Sequence, residues 1–179
     1  TIAFSDYASR TTGVIVDLSK NQTYGSLDTY RVINDGFGNA KYLDSIENVI
    51  GTKYDDIIFG NSDSNTLIGG EENDTLKGGL GADVLDGGIG QDWAYFDDIV
   101  VSGVNIVLDT DGNSANGSSG TANITGYTTT LIGIEHIKAT ALADTIKGDD
   151  NTNSILAGSG NDTIYSSKGS DYIDGEEGI

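Results

Sequence analysis

Residues Gly69–Tyr95 read GGEENDTLKGGLGADVLDGGIGQDWAY, which is three nine-residue lines in succession. Each line opens on two glycines, carries Asp at its sixth position and has an apolar or small residue at its eighth. A fixed short period is the mark of a repeat architecture in which neighbouring units stack. Carboxylates held at a regular interval repel one another, so the pattern needs a partner of opposite charge.

The same frame extends on both sides of this stretch. The lines YLDSIENVI, GTKYDDIIF and GNSDSNTLI precede it, and five further lines run from Thr130 to Asp174. The sixth positions Glu, Asp, Asn, Asp, Asp recur in the same order 88 residues later, from Glu47 to Glu135, which indicates tandem duplication. The eighth positions are apolar or small throughout: Val49, Ile58, Leu67, Leu76, Leu85, Ala94, Ile137, Ile146, Ile155, Ile164 and Ile173.

Composition excludes several classes of function. The chain has 28 acidic and 9 basic residues and a net charge of −19, so nucleic acid and anionic membranes are poor partners. It has no Cys and a single His, which excludes thiolate and multi-histidine metal sites. No apolar run is long enough to span a membrane, and the N-terminus lacks the features of a Sec-type signal peptide.

The repeats divide the chain into two predicted modules. The first, 1–96, has a strand and loop segment at 1–41 and a repeat array at 42–96. The second, 97–179, has a similar segment at 97–129 and an array at 130–179. Both ends fall inside repeats, so we expect a piece of a longer array.

Each line is predicted to form a six-residue turn and a three-residue strand. Glycine and β-branched residues at the periodic places disfavour a helix. The middle residue of each strand points inward, so stacked lines bury a continuous Leu/Ile column. Two lines complete one coil, which places residues eighteen apart in neighbouring coils at ~4.8 Å on the same edge. One edge then carries Asp56, Asp74 and Asp92, and the opposite edge carries Glu47, Asn65 and Asp83.

A hard divalent cation converts this repulsion into attraction. Ca²⁺ takes about six to eight oxygen ligands and tolerates irregular geometry. Glycine allows a turn to adopt positive φ and to direct its carbonyl oxygens at an ion. Several bound Ca²⁺ ions are therefore expected.

These lines resemble the G-G-x-G-x-D-x-U-x repeats of the RTX (repeats-in-toxin) family, in which U is a large apolar residue. GGLGAD (78–83) and GGIGQD (87–92) match the full motif, whereas AGSGND and SSKGSD match it in part. The resemblance implies an all-β, right-handed parallel β-roll that binds Ca²⁺ through position-six side chains and turn carbonyls. It also implies type I secretion by a bacterium and folding in extracellular calcium.

The candidate metal ligands are the position-six residues and the turn glycines. The expected sites pair Asp74 with Asp92 and Asp144 with Asp162, with Asp56–Asp74 as a further pair. Sites with Asn at position six should be weaker, and the two Glu residues are alternatively caps of the roll. The full set is Asp56, Asp74, Asp83, Asp92, Asp144, Asp162, Asp171, Asn65, Asn153, Glu47, Glu135, Gly69, Gly70, Gly78, Gly79, Gly81, Gly87, Gly88, Gly90, Gly158, Gly160 and Gly169.

Some lines depart from the motif, and other features invite different interpretations. GGEEND has Glu72 where the motif has Gly, and GTKYDD and ATALAD lack most of the glycines. Trp93, Tyr95 and Phe96 are expected to cover the open apolar end of the first array, with sugar stacking as the alternative. The sequence has no G-x-S-x-G motif that could supply a serine nucleophile for His136, so no catalytic residue is predicted. The segment 109–117 resembles a calcium loop but lacks the Glu at its twelfth place, so a polar loop is expected.

The preferred hypothesis is a non-catalytic module that folds on binding extracellular Ca²⁺, as part of a larger secreted or cell-surface protein. One alternative is a surface-layer or adhesin segment in which Ca²⁺ also supports self-assembly or contact with a cell-surface glycan. Another is an appendage of an exported hydrolase, epimerase or toxin.

Overall fold

The structure is a computed structural model that describes residues 1–4, 11–24, 27–35, 37, 41–43, 45–108, 119–165 and 167–178. The described residues form strands and turns and no helix. None of them belongs to an apolar helix of membrane-spanning length. The calcium-loop-like segment 109–117 lies outside the described residues.

Eighteen described strands form two nine-stranded sheets. In spatial order, the first sheet contains β1 (Ile2–Ala3), β5 (Asn48–Ile50), β7 (Thr66–Glu71), β9 (Val84–Ile89), β13 (Tyr127–Ile132), β12 (Gly120–Ile124), β11 (Asn105–Val107), β15 (Thr145–Lys147) and β17 (Thr163–Tyr165). The second sheet contains β18 (Tyr172–Asp174), β16 (Ser154–Leu156), β14 (His136–Lys138), β10 (Trp93–Tyr95), β8 (Thr75–Lys77), β6 (Ile57–Phe59), β2 (Ile15–Tyr24), β3 (Leu27–Asn34) and β4 (Lys41–Leu43).

The pairing within the arrays is parallel and has a constant offset of eighteen residues. Ile57 pairs with Thr75 in the second sheet, and Thr66 pairs with Val84 in the first. The same offset joins β15 to β17 and β16 to β18 in the second array. Because successive lines alternate between the two sheets, two lines make one coil. The predicted parallel β-roll is confirmed.

The core is the predicted column of eighth-position side chains between the two sheets. In β8, Leu76 is fully buried and its neighbours Thr75 and Lys77 are partly exposed. The column residues from Val49 to Ile155 are at most 1% exposed. Its last member, Ile173, is 41% exposed, so the column opens to solvent at that end.

The two arrays share both sheets. Strand β10 pairs in parallel with β8 on one side and with β14 on the other, and Ala94 lies beside Ile137. The expectation that aromatic residues cover an open end of the first array is therefore wrong, because no open end exists at this point. Trp93 and Tyr95 lie half-buried on the outer face of β10, while Phe96 is buried in the core.

Both linking segments add antiparallel strands to the roll. In the first, β2 pairs in parallel with β6, and β3 and β4 follow in antiparallel order. In the second, β12 pairs antiparallel with both β11 and β13. Strand β13 continues the first array and β11 leads to the second, so this insertion joins the arrays. The division into modules 1–96 and 97–179 stays a prediction.

Candidate metal sites

Position-six residues line the two edges of the roll, where the chain turns from one sheet to the other. The first edge, along which the chain passes from the first sheet to the second, carries Asp56, Asp74, Asp92, Glu135, Asn153 and Asp171. The second edge carries Glu47, Asn65, Asp83, Asp144 and Asp162. The inserted strands β11, β12 and β13 separate Asp83 from Asp144 on that edge.

A ladder of hydrogen bonds runs along each edge. The N–H of Asp56 donates to Asp74 Oδ1 at 2.7 Å, and the N–H of Asp74 donates to Asp92 Oδ1 at 2.7 Å. The Asp92 N–H donates to Glu135 Oε2 at 2.9 Å, so Glu135 continues the ladder across the join between the arrays and does not cap the roll.

The ladder has the same form elsewhere. The N–H groups of Asn65, Asp144 and Asn153 donate to the next position-six carboxylate at 2.9, 2.9 and 3.1 Å; the acceptors are Asp83, Asp162 and Asp171. One carboxylate oxygen of each acceptor is thus committed to the main chain of the neighbouring coil.

In four turns the second residue of the line satisfies the position-six side chain. The main-chain N–H of Thr52 donates to Asp56, and that of Asn61 donates to Asn65 at 2.8 Å. The corresponding donors in the second array are Thr140 and Asp149, which bond Asp144 at 2.9 Å and Asn153 at 3.0 Å. We name these the closed turns. The hydroxyl groups of Thr52 and Thr140 also donate to the carboxylates, so Asp56 and Asp144 are engaged within the protein.

Three other turns leave one oxygen of the position-six carboxylate unpartnered. The Oδ2 atoms of Asp74, Asp83 and Asp92 are buried and have no hydrogen-bond partner in the described structure. These three residues are at most 2% exposed. We name their turns the open turns; the second residue of each is a glycine with positive φ: Gly70, Gly79 and Gly88.

Burial raises the pKa of each open-turn carboxyl. The pKa of Asp74 rises from its ordinary 3.8 to about 8, that of Asp83 to about 7 and that of Asp92 to about 6. Loss of hydration is the largest cause in each case, and the ladder hydrogen bond opposes it. The pKa of Glu135 rises to about 7 for the same main reason. Buried, ionisable and unpartnered oxygens are what a hard cation needs.

Two glycines show how the motif makes this space. A Cβ atom added to Gly69 would collide with Asp74 Oδ2 and with the carbonyl oxygen of Gly87. Gly70 has φ +133°, which side chains rarely adopt, and a Cβ there would collide with the Thr52 carbonyl oxygen. The carbonyl oxygens of adjacent coils therefore come close to the turn only because side chains are absent.

Glu72 fills the fourth place of its line, where the motif has Gly. It adopts φ +66°, the left-handed conformation that the motif glycine provides. The corresponding Gly81 and Gly160 also have positive φ. Glu72 therefore preserves the backbone conformation of the turn although it departs from the motif. The left-handed conformation costs a non-glycine residue about 1–2 kcal/mol.

Side chains alone do not complete a metal site. Within the described residues, no three Asp, Glu or His side chains cluster closely enough to hold a metal ion. Any cation on these edges must therefore combine one or two carboxylates with neutral oxygen ligands, such as main-chain carbonyl groups. This donor set suits Ca²⁺, which accepts both kinds of oxygen.

Family comparison supports the same conclusion. The model of the RTX calcium-binding nonapeptide repeat matches the chain four times, at residues 44–76, 59–94, 131–164 and 147–179. Together these matches span 44–94 and 131–179, more than half of the 179 residues. The chain belongs to the RTX calcium-binding repeat family. No individual curated protein matches it.

RTX nonapeptide repeats bind several Ca²⁺ ions per array, so Ca²⁺ is the cofactor of this chain. The RTX repeat itself is a calcium-binding unit without catalytic activity. His136 has a structural role in keeping with this, because its Nδ1 atom accepts a hydrogen bond from the Ser154 N–H at 3.0 Å.

Sequence reasoning missed the residues that close the turns. Thr52 and Thr140 lie four residues before Asp56 and Asp144, and the Thr-x-x-x-Asp spacing is the signal that identifies them. The predicted ligands Asp162 and Asp171 are partly exposed and accept the ladder bond. Glu47 is also partly exposed, and its carbonyl oxygen accepts from Asn65 Nδ2 at 3.1 Å.

Proposed function

We propose that this chain is a calcium-dependent folding module in which the open turns hold the principal Ca²⁺ ions. The observation that carries the proposal is the set of three buried, unpartnered Oδ2 atoms at Asp74, Asp83 and Asp92. Main-chain carbonyl oxygens of neighbouring coils would supply the remaining ligands. Bound Ca²⁺ supplies positive charge where the fold buries negative charge.

The mechanism is a coupling of ion binding to folding. At neutral pH the unfolded chain holds these carboxyl groups ionised and hydrated, at a net charge of −19. The calcium-free roll must either ionise them in a buried place or take up protons, and both options cost free energy at neutral pH. A cation that binds only the folded roll removes this cost, so the roll forms when Ca²⁺ is present.

Location and context extend the proposal. RTX repeats are typical of secreted bacterial proteins, and extracellular calcium modules bind at about 10⁻⁴–10⁻³ M. Such affinities would leave the module unfolded in a low-calcium cytosol, where an unfolded chain suits type I export, and would fold it outside the cell. We place it in a larger exported protein, in which it serves as a non-catalytic segment.

Equilibrium dialysis with ⁴⁵Ca²⁺ and small-angle X-ray scattering on the same samples test this function. We expect several ions per chain, and a radius of gyration that falls from the ~45 Å of an unfolded chain of this length. Mg²⁺ at the same concentration should cause much less compaction, because it requires stricter geometry. A chain that binds no Ca²⁺, or that is equally compact in EDTA, would refute the proposal.

A matched pair of variants links the function to the open turns. Asp92→Asn removes a buried charge from an open turn, and Asp63→Asn removes an exposed charge from a closed turn on the opposite edge. Asp92→Asn should require at least several-fold more Ca²⁺ for compaction, whereas Asp63→Asn should match the parent chain. Equal calcium requirements for both variants would show that the open turns do not hold the principal Ca²⁺ ions.

Calcium-dependent assembly is the second candidate function, and the end of the core column favours it. Ile173 belongs to the column but is 41% exposed, and Tyr172 beside it is 58% exposed. A second copy stacked on this end of the column would bury Ile173. Light scattering in millimolar Ca²⁺ decides: growth in mass supports assembly, and a strict monomer refutes it.

A further inference from the structure

The regular edge is broken where the first array meets the inserted strands. On the second edge, the N–H of Asn65 donates to Asp83, and the next coil should offer another position-six carboxylate. Strand β13 takes that place instead. Thr130 pairs with Val84, and the Thr130 N–H donates to the Asp83 carbonyl oxygen at 2.8 Å. Thr129 therefore lies beside Asp83 at the position where a nonapeptide line would carry Asp.

Three residues around this break have an unpartnered side-chain oxygen. Asp83 Oδ2, Thr129 Oγ1 and the Tyr127 hydroxyl are all buried and have no hydrogen-bond partner in the described structure. Asp83 is 2% exposed and Thr129 is 1% exposed. A buried hydroxyl normally finds a partner, so two unpartnered hydroxyls beside an unpartnered carboxylate require an explanation.

A second carboxylate, that of Asp98, influences the same groups from another part of the chain. After β10, Asp98 lines a cavity together with Gly79 and Leu80, which belong to the turn that ends at Asp83. The charges of Asp83 and Asp98, after burial itself, raise the pKa of the Tyr127 hydroxyl. The phenol therefore stays neutral and lies within the field of both carboxylates. The Asp98 Oδ2 atom also lies 3.5 Å from Lys77 Nζ.

We propose that this break is a composite Ca²⁺ site formed by Asp83, Asp98, Tyr127 and Thr129, which come from three separate segments of the chain. This composite site rests on the proposed function, because it would bind Ca²⁺, as the open turns do. It differs from a nonapeptide site, because only Asp83 belongs to a repeat. The two carboxylates supply charge, and the two hydroxyl groups supply neutral oxygen ligands.

The lack of hydrogen bonds among these groups fits the proposal. Oxygens that share a Ca²⁺ ion at about 2.3–2.6 Å surround it and lie farther apart than the ~2.7–2.8 Å of hydrogen-bonded oxygens. Thr129 also stands where the ladder would place an acidic residue, so the site keeps the oxygen-rich edge although the repeat is interrupted.

The site has a structural consequence for the whole roll. An ion there ties the turn that ends at Asp83 to the segment after β10 and to β13 of the insertion. Strand β13 pairs with β9 of the first array, and the inserted strands lead through β11 to β15 of the second array. The ion would therefore stabilise the join between the two arrays.

The test is the number of Ca²⁺ ions bound by the full chain and by a double variant, Tyr127→Phe with Thr129→Val. Both changes remove an oxygen and keep the shape of the side chain. We expect equilibrium dialysis with ⁴⁵Ca²⁺ to give one ion fewer per chain. The melting temperature in Ca²⁺ should fall, while that of calcium-free samples held folded at acid pH should not fall. Thr129→Ser, which keeps the hydroxyl, should retain the full number of ions.

The matched control is Tyr172→Phe with Thr128→Val, which removes the same two groups from exposed positions. It should bind as many ions as the parent chain. The proposal is overturned if the test variant keeps the full number with unchanged affinity, or if Thr129→Ser loses the ion as Thr129→Val does. A parent chain that binds no Ca²⁺ would instead refute the proposed function, so the two failures are distinguishable.

Discussion

Substitution of Asp74 by Asn probes the cost of the buried charge directly. In the calcium-free roll the pKa of Asp74 is about 8, against an ordinary 3.8, chiefly because burial strips its carboxylate of water. Between these pH values the folded chain keeps a proton that the unfolded chain has lost. The free energy of unfolding therefore falls as pH rises from about 4 to about 8, and the full cost applies above pH 8.

The magnitude follows from the size of this difference. Each pKa unit corresponds to about 1.4 kcal/mol, so the charge of Asp74 costs the calcium-free roll about 6 kcal/mol above pH 8. Asn does not ionise and avoids that cost. Its Nδ2 group would take the place of the unpartnered oxygen, at a penalty of about 1–3 kcal/mol. We therefore expect Asp74→Asn to stabilise the calcium-free roll by about 3–5 kcal/mol at pH 8 and above.

The assay is folding in EDTA across pH 4–9, followed by far-UV circular dichroism. Where the calcium-free chain is unfolded, increasing trimethylamine N-oxide drives it into the folded state and gives the free energy. The advantage of Asp74→Asn should shrink as pH falls and should reverse near pH 4, where the parent carboxyl pays little ionisation cost while the amide penalty remains. Asp63→Asn, an exposed control, should follow the parent chain at every pH.

Calcium should reverse the order of the two proteins. The parent chain gains binding free energy from a charged ligand, whereas the amide of the Asp74→Asn variant is a neutral ligand, so the variant should gain less stability from the same Ca²⁺. Parallel pH profiles for the parent and Asp74→Asn in EDTA would contradict this prediction, because they would show that Asp74 carries no buried charge.

Three further predictions concern space, packing and protonation. Gly69→Ala forces a Cβ atom against the Asp74 carboxylate and should lower stability in Ca²⁺ by at least ~2 kcal/mol, whereas Gly175→Ala, with open space around it, should change it by less than ~0.5 kcal/mol in urea unfolding. Leu76→Ala empties part of the core column and should cost about 2–5 kcal/mol, while Leu80→Ala, 40% exposed, should be near neutral. Acid should partly replace calcium: since the raised pKa of each open-turn carboxyl favours the protonated fold, strand content in EDTA should rise as pH falls from 8 to 4, and a flat profile would contradict this.

The regular part of the fold could be predicted because one constraint repeats. An apolar residue every nine positions needs burial, and a three-residue strand places it inward only when alternate lines stack eighteen residues apart. Leu76 and Leu85 lie where this reasoning puts them. The order of position-six residues along each edge follows from the same spacing.

The join between the arrays could not be predicted from the repeat, because the repeat is absent there. Antiparallel strands in the linking segments depend on long-range pairing such as that of Thr130 with Val84, for which the sequence has no local periodic signal. The aromatic line at Trp93 resembles an end of the array for that reason. Its small Ala94 instead packs beside Ile137, so the column continues.

The difference between open and closed turns depends on hydrogen bonds that composition does not show. Asp56 and Asp74 are identical in the nine-residue frame, yet the Thr52 N–H satisfies one and no such donor reaches the other. The frame therefore predicts which residues lie on an edge. The second residue of each line decides how much of the carboxylate remains for an ion.

The most direct test of calcium-coupled folding is the far-UV circular dichroism of the parent chain near neutral pH, first in EDTA and then in about 5 mM Ca²⁺, above the range of extracellular modules. We expect the spectrum of an unfolded chain in EDTA, a cooperative gain of β-strand signal as Ca²⁺ is added, and reversal when EDTA is restored. The same strand content in EDTA and in Ca²⁺ would contradict it.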